Sequence, residues 1–488
     1  MGKSLIDEPA HPVKTQYKSV ESVFGMIEKN PQPDVGKTVS LQGEAGRFTV
    51  GSTMRHVVVM TATGSVGLMA IFAVDFLSLF YISLLKNEQI TAGVGYATTV
   101  LFFAISVNVG LMIAASALVA RALGARDRAR ARRVASSAAV WLAGIATVVS
   151  CIMLALLPTI LDLLGAEGLS RKTASEFLWI TLPANFMMAL GMAFSGILRS
   201  VGDAKRAMLV TLLGGVATAM LDPLLIFGFG LGANGAALAT VMSRVVFCAV
   251  GWYGVVHIHD LMTRPSLEDA RKDGKALMGI AAPAVMTNVA SPIAAGFMLS
   301  IVRQFGHEAV AANTIIDRLI PLAFGVIFAL SASVGPILAQ NLGAKRHDRV
   351  RQALRDALIF ACLYSLFAWL VLAFGRNAIS GLFGASEKTA AYVSFFCLVG
   401  TAAWVFLAGL FVANAAFNNL GFPLYSTLFN WGRATLGTMP FAYFGARFWG
   451  YEGAVGLVII GWALFGISSI IVAFKAIARL ERQSTSPS

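Results

Sequence analysis

Charged residues are scarce in this chain of 488 residues. Asp, Glu, Lys and Arg together make up 13% of it, whereas a soluble domain carries roughly 25%. Apolar residues account for 57%, and the mean hydropathy is +0.74. This scarcity excludes an ordinary soluble protein. It indicates segments that cross a membrane, each of which needs roughly 20 mostly apolar residues.

Cysteine and catalytic motifs are also scarce. Each of the four cysteines stands alone inside an apolar run, which excludes a disulfide framework and a zinc site. The chain contains no Walker A, HExxH or nucleophile-elbow motif. The stretch "GLGANG" (230–235) matches a dinucleotide fingerprint, but it follows a membrane-length apolar segment instead of a strand. The sequence therefore predicts neither an enzyme nor a bound cofactor.

Apolar runs separated by polar breaks divide most of the chain into spans. They predict an all-α integral membrane protein with twelve transmembrane helices. The predicted spans are 55–84, 91–121, 134–161, 174–198, 204–228, 232–258, 276–304, 310–341, 354–381, 390–418, 424–448 and 453–478.

The two halves of the chain repeat each other. The stretch "ALVARALGARDRARARR" (117–133) is similar to "PILAQNLGAKRHDRVRQ" (336–352), with Gly124 on Gly343 at an offset of 219. The same offset brings Gly202 onto Gly421. An offset of 218 brings Gly235-Ala236 onto Gly453-Ala454. Six spans per half is an even number, so the halves form parallel repeats about an axis along the membrane normal, as in alternating-access carriers.

These features predict five regions. They are a polar cytoplasmic extension at 1–52, an N-terminal six-helix lobe at 53–260, a cytoplasmic linker at 261–275, a C-terminal six-helix lobe at 276–480 and a cytoplasmic tail at 481–488.

Positive charge is concentrated in alternate loops. The run "RALGARDRARARR" (121–133) contains six arginines, and the net charge of the chain is +13. The positive-inside rule places such loops, and with them both termini, in the cytoplasm. We therefore read the run as a topology signal in a multi-pass protein of the cell membrane, expected to be a bacterial inner membrane. A nucleic-acid partner is not predicted.

Three aspartates fall inside predicted spans, where an ionisable group costs roughly 2.5–3.5 kcal/mol at the centre and usually serves a function. Asp75 in span 1 and Asp222 in span 5 lie at about the same depth. We predict that they bind the coupling ion, H⁺ or Na⁺. A purely structural role, in which Asp222 braces a kinked helix, remains the alternative. Asp317 lies close to the external membrane interface. There the sequence is equally compatible with a functional role and with a surface ion pair to Arg318.

Neighbouring polar groups complete the predicted pocket. Thr218 lies four residues before Asp222, on the same helix face. Pro223 lacks an N–H, which frees the carbonyl of Ala219 to bind a hydroxyl, water or cation. Thr240 in span 6 is predicted at the same level.

Lower-ranked candidates lie elsewhere in the predicted cavity. Asp317, Asn185 and Asn288 are the polar residues proposed for its lining. The second half lacks an equivalent acidic pocket, since the repeat partner of Asp75 is Ala294.

The phrases "ILRSVGDAK", "LDPLLIFGFGLGANGAALAT" and "LAQNLGAKR" resemble hallmark segments of multidrug and toxic compound extrusion (MATE) transporters. The resemblance covers about 55–478 and is strongest to the DinF-like branch, whose cation site lies in the first lobe. It implies two six-helix lobes around a central cavity. On this resemblance, Asp75, Asp222 and Thr240 match residues of that site, whereas Thr218 stands where the branch often has Asn.

Two further departures from the family are visible. Span 1 has no proline, only Gly64 and Gly67. The acids that NorM-like relatives use in the second lobe are absent.

The resemblance implies a secondary active exporter of cationic or amphipathic compounds. It would work by antiport with alternating access, and H⁺ is favoured over Na⁺ as the coupling ion. The expected partners are a small organic cation and membrane lipid, with no obligate protein partner and no cofactor beyond the ion. The alternative is a flippase for lipids or lipid-linked oligosaccharides, which the cationic residues Arg244, Arg303, Arg318 and Arg433 keep open.

Overall fold

The computed structural model describes residues 46–485, and this part of the chain is almost entirely helical and contains no β-strand. Ten spans are separate or bent helices, and a final long helical segment follows them. They are α1 (Thr53–Ser83), α2 (Glu88–Gly124), α3 (Arg128–Ala155), α4 (Gly168–Thr181 with Asn185–Val201), α5 (Ala204–Pro223), α6 (Gly232–Tyr253), α7 (Leu267–Val302), α8 (His307–Gly343), α9 (His347–Leu382), α10 (Glu387–Phe395 with Trp404–Leu420), and then Pro423–Ala434 with Met439–Thr485. Shorter elements are Arg47–Thr49, Leu157–Leu163, Leu224–Gly228, Gly254–Ile258, Arg303–Phe305 and Phe396–Gly400.

The final helical segment is a hairpin of two spans. Gly450 has φ +66°, a conformation that glycine adopts without a steric penalty, and the helix breaks there. Gly445 packs against the main chain of Gly453, and Gly461 packs against that of Gly437. In these two contacts the residue number on one arm falls as the residue number on the other rises. The two arms therefore run antiparallel. They are α11 (Pro423–Ala434 with 439–448) and α12 (451–485).

The hairpin completes the count of spans. In the described part of the chain, nine helical segments are long and apolar enough to cross a membrane. Two bent pairs, α4 and α10, qualify when each is counted as one span. The hairpin is one of the nine segments but contributes two spans. Eight single helices, two bent pairs and the two arms of the hairpin therefore give twelve spans. The predicted all-α fold with twelve transmembrane helices is confirmed.

The sequence repeat is also a repeat of backbone geometry. Gly202 (φ +90°) ends α4 and Gly421 (φ +98°) ends α10, both in the left-handed conformation. Arg126 (φ +60°) and Lys345 (φ +56°), also 219 positions apart, share an unusual positive φ. The bends inside α4 and α10 measure 56° and 55°. The two lobes therefore have the same design, as the offset of 219 predicts.

The lobes contact each other mainly through α1, α2, α7 and α8. We call the end of the bundle that carries the arginine run the arginine-loop end. There, Gly124 of α2 packs on the main chain of Gln340, and Gly343 of α8 packs on the main chain of Arg121. Any Cβ at either glycine would overlap these main-chain atoms. The two contacts are repeat equivalents of each other, so the lobes are sealed here by one contact made twice.

Hydrogen bonds reinforce the seal in the same symmetric way. Arg121 Nε donates to the main-chain oxygen of Asn419 at 3.0 Å. Gln340 Nε2 donates to the main-chain oxygen of Ser200 at 2.5 Å. The two donors are 219 positions apart in sequence, and so are the two acceptors. Each hydrogen bond joins one lobe to the other.

Residues 46–52, which the sequence assigned to the polar extension, contact this seal. Phe48 is buried, and its N–H donates to Gln340 Oε1 at 2.9 Å. Arg349 Nη2 donates to the main-chain oxygens of Phe48 at 3.0 Å and Gly51 at 2.9 Å. Residues 1–45 of the predicted extension and 486–488 of the predicted tail lie outside the described residues.

Three arginines of the basic run hold the segment that follows α6. Arg133 binds Asp273 through two hydrogen bonds of 3.1 and 3.2 Å. Arg132 pairs with Asp260 at 3.0 Å. Arg128 Nη2 donates to the main-chain oxygen of His259 at 2.6 Å. The run therefore has a structural use in addition to its predicted role in topology.

Candidate functional site

Helices α1 and α5 lie side by side and run in the same direction. Gly67 packs against Thr211, and Ser78 contacts Asp222, two pairs separated by the same 144 positions. Because the two pairs have the same separation in sequence, α1 and α5 run parallel to each other. Glycine at position 67 lets the backbones approach closely, because a Cβ there would overlap the Thr211 hydroxyl. This contact brings the acid of α5 against α1.

Asp222 is the buried acid of the site. Its carboxylate is fully buried, and one oxygen accepts a hydrogen bond from Ser78 Oγ. The other oxygen, Oδ1, is buried without a hydrogen-bond partner. An ionised carboxylate with one neutral donor is expensive in a low-dielectric interior. Binding a proton, or a monovalent cation at Oδ1, would remove that cost.

Asp75 is the accessible acid of the site. It lies three residues before Ser78 and therefore on the same face of α1. Its side chain is exposed, and it makes no hydrogen bond or ion pair within residues 46–485. The structure thus places Asp222 at the contact between α1 and α5, with Ser78 as the group that binds it, and Asp75 lies one turn before Ser78 on α1. Asp75 and Asp222 do not bind each other through a shared hydrogen bond.

The other predicted pocket residues do not bind Asp222. Thr218 Oγ1 donates to the main-chain oxygen of Gly214 at 3.2 Å, and Thr240 Oγ1 donates to that of Ala236 at 2.9 Å. Each hydroxyl is therefore used within its own helix. Ala219 is half-buried on α5. Beyond Pro223, α5 continues as a π-helical turn, Leu224–Gly228, as expected where proline interrupts the α-helical hydrogen bonds.

Ser78 was missed by the sequence analysis. Its spacing of three from Asp75 was the available signal, since residues three apart share a helix face. A serine in an apolar span carries no charge that would mark it as functional.

Two lower-ranked candidates form hydrogen bonds within their own lobes. Asp317 is exposed on α8 and accepts a hydrogen bond from Asn313 at 2.9 Å; no ion pair with Arg318 is present in the described residues. Asn185 lies at the bend of α4, buried inside the first lobe, where it accepts a hydrogen bond from Asn108 at 2.9 Å. Asn185 does not line the cavity between the lobes.

A cavity of about 230 Å³ lies between the lobes, directly beside the seal. Its wall comes from α2, α4, α7, α8, α10 and α11. Asn288 is on the wall and donates to the main-chain oxygen of Ala284 at 2.8 Å. Phe328 and Phe411 pack edge to face there, with ring centroids 5.3 Å apart. The lining includes Arg199 and no Asp or Glu.

Two repeated six-helix lobes with a cavity between them, and a buried carboxylate inside the first lobe, are the architecture of a membrane transporter. A search with family models agrees, since MatE matches residues 65–224 and 283–444, one segment in each lobe. The chain belongs to the MatE family of multi-pass membrane transporters, which are not enzymes.

Several characterised proteins are similar to this chain. The FAD transporter of Shewanella oneidensis is 27% identical over 420 residues, covering 85% of this chain and 93% of that protein. The multidrug export protein MepA of Staphylococcus aureus is 23% identical, covering 81% of this chain and 84% of MepA. The probable multidrug resistance protein NorM of Thermotoga maritima is 25% identical over 291 residues, covering 58% of this chain and 62% of NorM.

Solved structures show the same fold. A MOP superfamily transporter from Pyrococcus furiosus matches with a TM-score of 0.83 at 23% identity, over 91% of this chain and 99% of that one. The Vibrio cholerae MATE transporter VcmN matches with a TM-score of 0.83 at 22% identity, over 88% and 97% of the two chains.

Proposed function

We propose that this MatE-family transporter is a secondary active exporter that couples efflux to H⁺ entry through Asp222, with Asp75 as the accessible acid through which the ion arrives. The burial of Asp222, with Oδ1 unpartnered, is the observation that carries the proposal. Such a group is costly while charged and inexpensive once protonated. Na⁺ is the alternative ion, since Oδ1 and the Ser78 hydroxyl are hard oxygen ligands.

Alternating access follows from the position of the seal. The lobes are closed at the arginine-loop end, which the positive-inside rule places in the cytoplasm. Export requires this end to open for substrate entry and to close again before release outside. Loading and release of the ion at α1 and α5 would bias that equilibrium, because α1 also contacts α8 of the other lobe.

We propose an amphipathic aromatic compound as the substrate. The cavity offers aromatic rings, amides and hydroxyls, a lining that suits flat polar molecules. Two relatives are named for multidrug export or resistance and one for FAD transport, so the names span chemically different cargo. The cavity wall contains no carboxylate for the predicted organic cation.

The flippase alternative receives less support. Arg244 is buried and donates to the main-chain oxygen of Thr181 at 2.6 Å. Arg433 is buried and donates to Ser291 Oγ at 3.3 Å. Neither is a free surface cation for a lipid headgroup, whereas Arg303 and Arg318 are exposed.

The test is efflux from proteoliposomes under an imposed pH gradient, with ethidium, riboflavin and riboflavin 5′-phosphate (FMN) as probes. Asp222→Asn removes the charge but keeps an oxygen that can accept from Ser78, so the packing is preserved. We expect Asp222→Asn and Asp75→Asn to reduce gradient-driven efflux to background. Asp317→Asn, on an exposed position of α8, is the matched control and should retain most activity. Wild-type rates in Asp222→Asn would reject the proposal.

A further inference from the structure

We infer that the cavity between the lobes binds an aromatic organic anion, with its phosphate or carboxylate at Arg199. The inference rests on the proposed function in one respect, because it takes this cavity as the substrate site. It differs from the organic cation that the family resemblance implies.

Arg199 is the charged group of the cavity wall. Its Nη2 donates to Ser195 Oγ at 2.8 Å and its Nε to the main-chain oxygen of Ser195 at 3.4 Å. Both acceptors are neutral and lie one turn away on α4. No ion pair between described residues includes Arg199. Its positive charge is therefore not neutralised by the protein.

The nearest acid in sequence is already engaged. Asp203 lies four residues after Arg199, beyond the end of α4 at Gly202. Its carboxylate accepts from Arg206 Nη1 at 2.5 Å and contacts His259 Nε2 at 2.9 Å. Arg199 therefore has no carboxylate partner among the described residues.

A second guanidinium reinforces the positive field. Arg433 is only 8% exposed and reaches the cavity wall at Ser291 Oγ, 3.3 Å away. It too forms no ion pair with a described acid. A buried guanidinium without a counter-ion is costly, so an anion that entered this cavity would gain from both cations.

The remaining wall suits the ring of such an anion. Asn288, Asn414 and Asn430 present amides, which can both donate and accept hydrogen bonds. Oδ1 of Asn414 is buried without a partner, so a donor on the ligand would satisfy it. Phe328 and Phe411 offer ring faces and edges for packing. A heteroaromatic ring with polar edges, joined to a phosphate or carboxylate, matches this arrangement.

Riboflavin and FMN form a matched pair for the test, because they share one ring system and differ by a phosphate. Binding to the purified full-length protein in detergent is followed by flavin fluorescence, with no gradient present. We expect FMN to bind about tenfold more tightly than riboflavin, as a charge-assisted hydrogen bond at Arg199 would give. Arg199→Gln should remove most of this difference, because it weakens FMN binding far more than riboflavin binding. Arg318→Gln, at an exposed position of α8, is the control.

Asn414→Asp tests the same idea without removing Arg199. It places a carboxylate on the wall and should weaken FMN binding while affecting riboflavin little. Equal binding of the two flavins, tighter binding of ethidium than of FMN, or indifference of FMN to both variants would overturn the inference.

The two proposals fail in different ways. FMN binding at Arg199 without gradient-driven efflux would leave the anion site intact and reject ion-coupled export. Ethidium efflux that depends on Asp222, with no binding of FMN, would support export and reject the anion site.

Discussion

Gln340 of the second lobe donates a 2.5 Å hydrogen bond to the main-chain oxygen of Ser200 in the first. Its repeat equivalent, Arg121, donates in the opposite direction to Asn419 at 3.0 Å. One interaction, used twice, thus joins α8 to α4 and α2 to α10. Gln340 also accepts from Phe48, so the second-lobe copy holds an additional segment of chain.

A larger side chain at either glycine of the seal should open the arginine-loop end. Gly124→Val and Gly343→Val would overlap main-chain atoms of Gln340 and Arg121, which cannot move without separating the lobes. We expect both variants to speed labelling of a cysteine at Ala332, on the cavity wall, from the arginine-loop side. The assay uses inside-out vesicles and a background without the four native cysteines.

Gly95→Val is the matched control for the seal. It lies on the same helix as Gly124, but a Cβ there meets open space. Unchanged labelling in Gly95→Val with faster labelling in both seal variants is the expected pattern. Equal labelling in all variants would mean that the glycine contacts do not close this end.

Asp203 lies between α4 and α5, and we expect it to make a pH-dependent contribution to the stability of the fold. Burial raises the pKa of this carboxyl, but hydrogen bonds from His259 and Arg206 outweigh burial and hold the pKa well below its ordinary 3.8. A carboxyl whose pKa is lowered by folding stabilises the fold at every pH above its ordinary pKa. This stabilisation is lost as the pH falls from the ordinary pKa to the lowered pKa. Asp203→Asn keeps the oxygen that caps α5 and removes the charge.

We therefore expect Asp203→Asn to lower the midpoint of thermal unfolding by a constant few degrees between pH 5 and 8, and the difference to shrink below about pH 4. Asp348→Asn is the control. Its exposed partner Arg346 lies 3.3 Å away, and such surface pairs contribute roughly 0–1 kcal/mol. A difference that grew at low pH would contradict the assignment.

Topology can be tested at Arg130, which is exposed on the basic run. Arg130→Cys, in the cysteine-free background, should resist an impermeant thiol reagent added outside intact cells and react after permeabilisation. Glu167→Cys in the same background provides the contrast, since Glu167 is exposed just before α4, beyond the opposite end of α3. Rapid external labelling at position 130 would reverse the predicted orientation.

Membrane voltage distinguishes anionic from cationic cargo. FMN carries about −2 at pH 7, so its export in exchange for one proton moves about three positive charges inward. Each is worth about 2.3 kcal/mol per 100 mV. A potassium diffusion potential, negative inside the compartment that FMN leaves, should therefore drive FMN efflux without a pH gradient. A monovalent cation exchanged for one proton moves no net charge and should not respond. FMN efflux indifferent to voltage would contradict anion export by proton antiport.

Much of the fold could be predicted because hydropathy and spacing report it directly. The repeat offset of 219 anticipated the paired glycines at 202 and 421, since a left-handed helix end favours glycine. The bends in α4 and α10 and the π-helical turns at Gly254–Ile258 and Phe396–Gly400 could not be predicted. They depend on tertiary packing that apolar composition does not encode.

The candidate site was predicted in part. Asp75 and Asp222 stand out in sequence because charge is rare in a span. Ser78 binds Asp222 only because α1 and α5 run in parallel register, and no local pattern announces that pairing. The predicted span 174–198 stops one residue before Arg199, whose place on the cavity wall depends on where the second lobe lies.

The central claim is that proton binding at Asp222 drives export. The most direct measurement is efflux of the probes from proteoliposomes containing the wild type, with gradients of pH and Na⁺ imposed separately at clamped voltage. The account predicts that the pH gradient alone drives efflux and that Na⁺ adds nothing. Efflux that requires the Na⁺ gradient and ignores the pH gradient would contradict it.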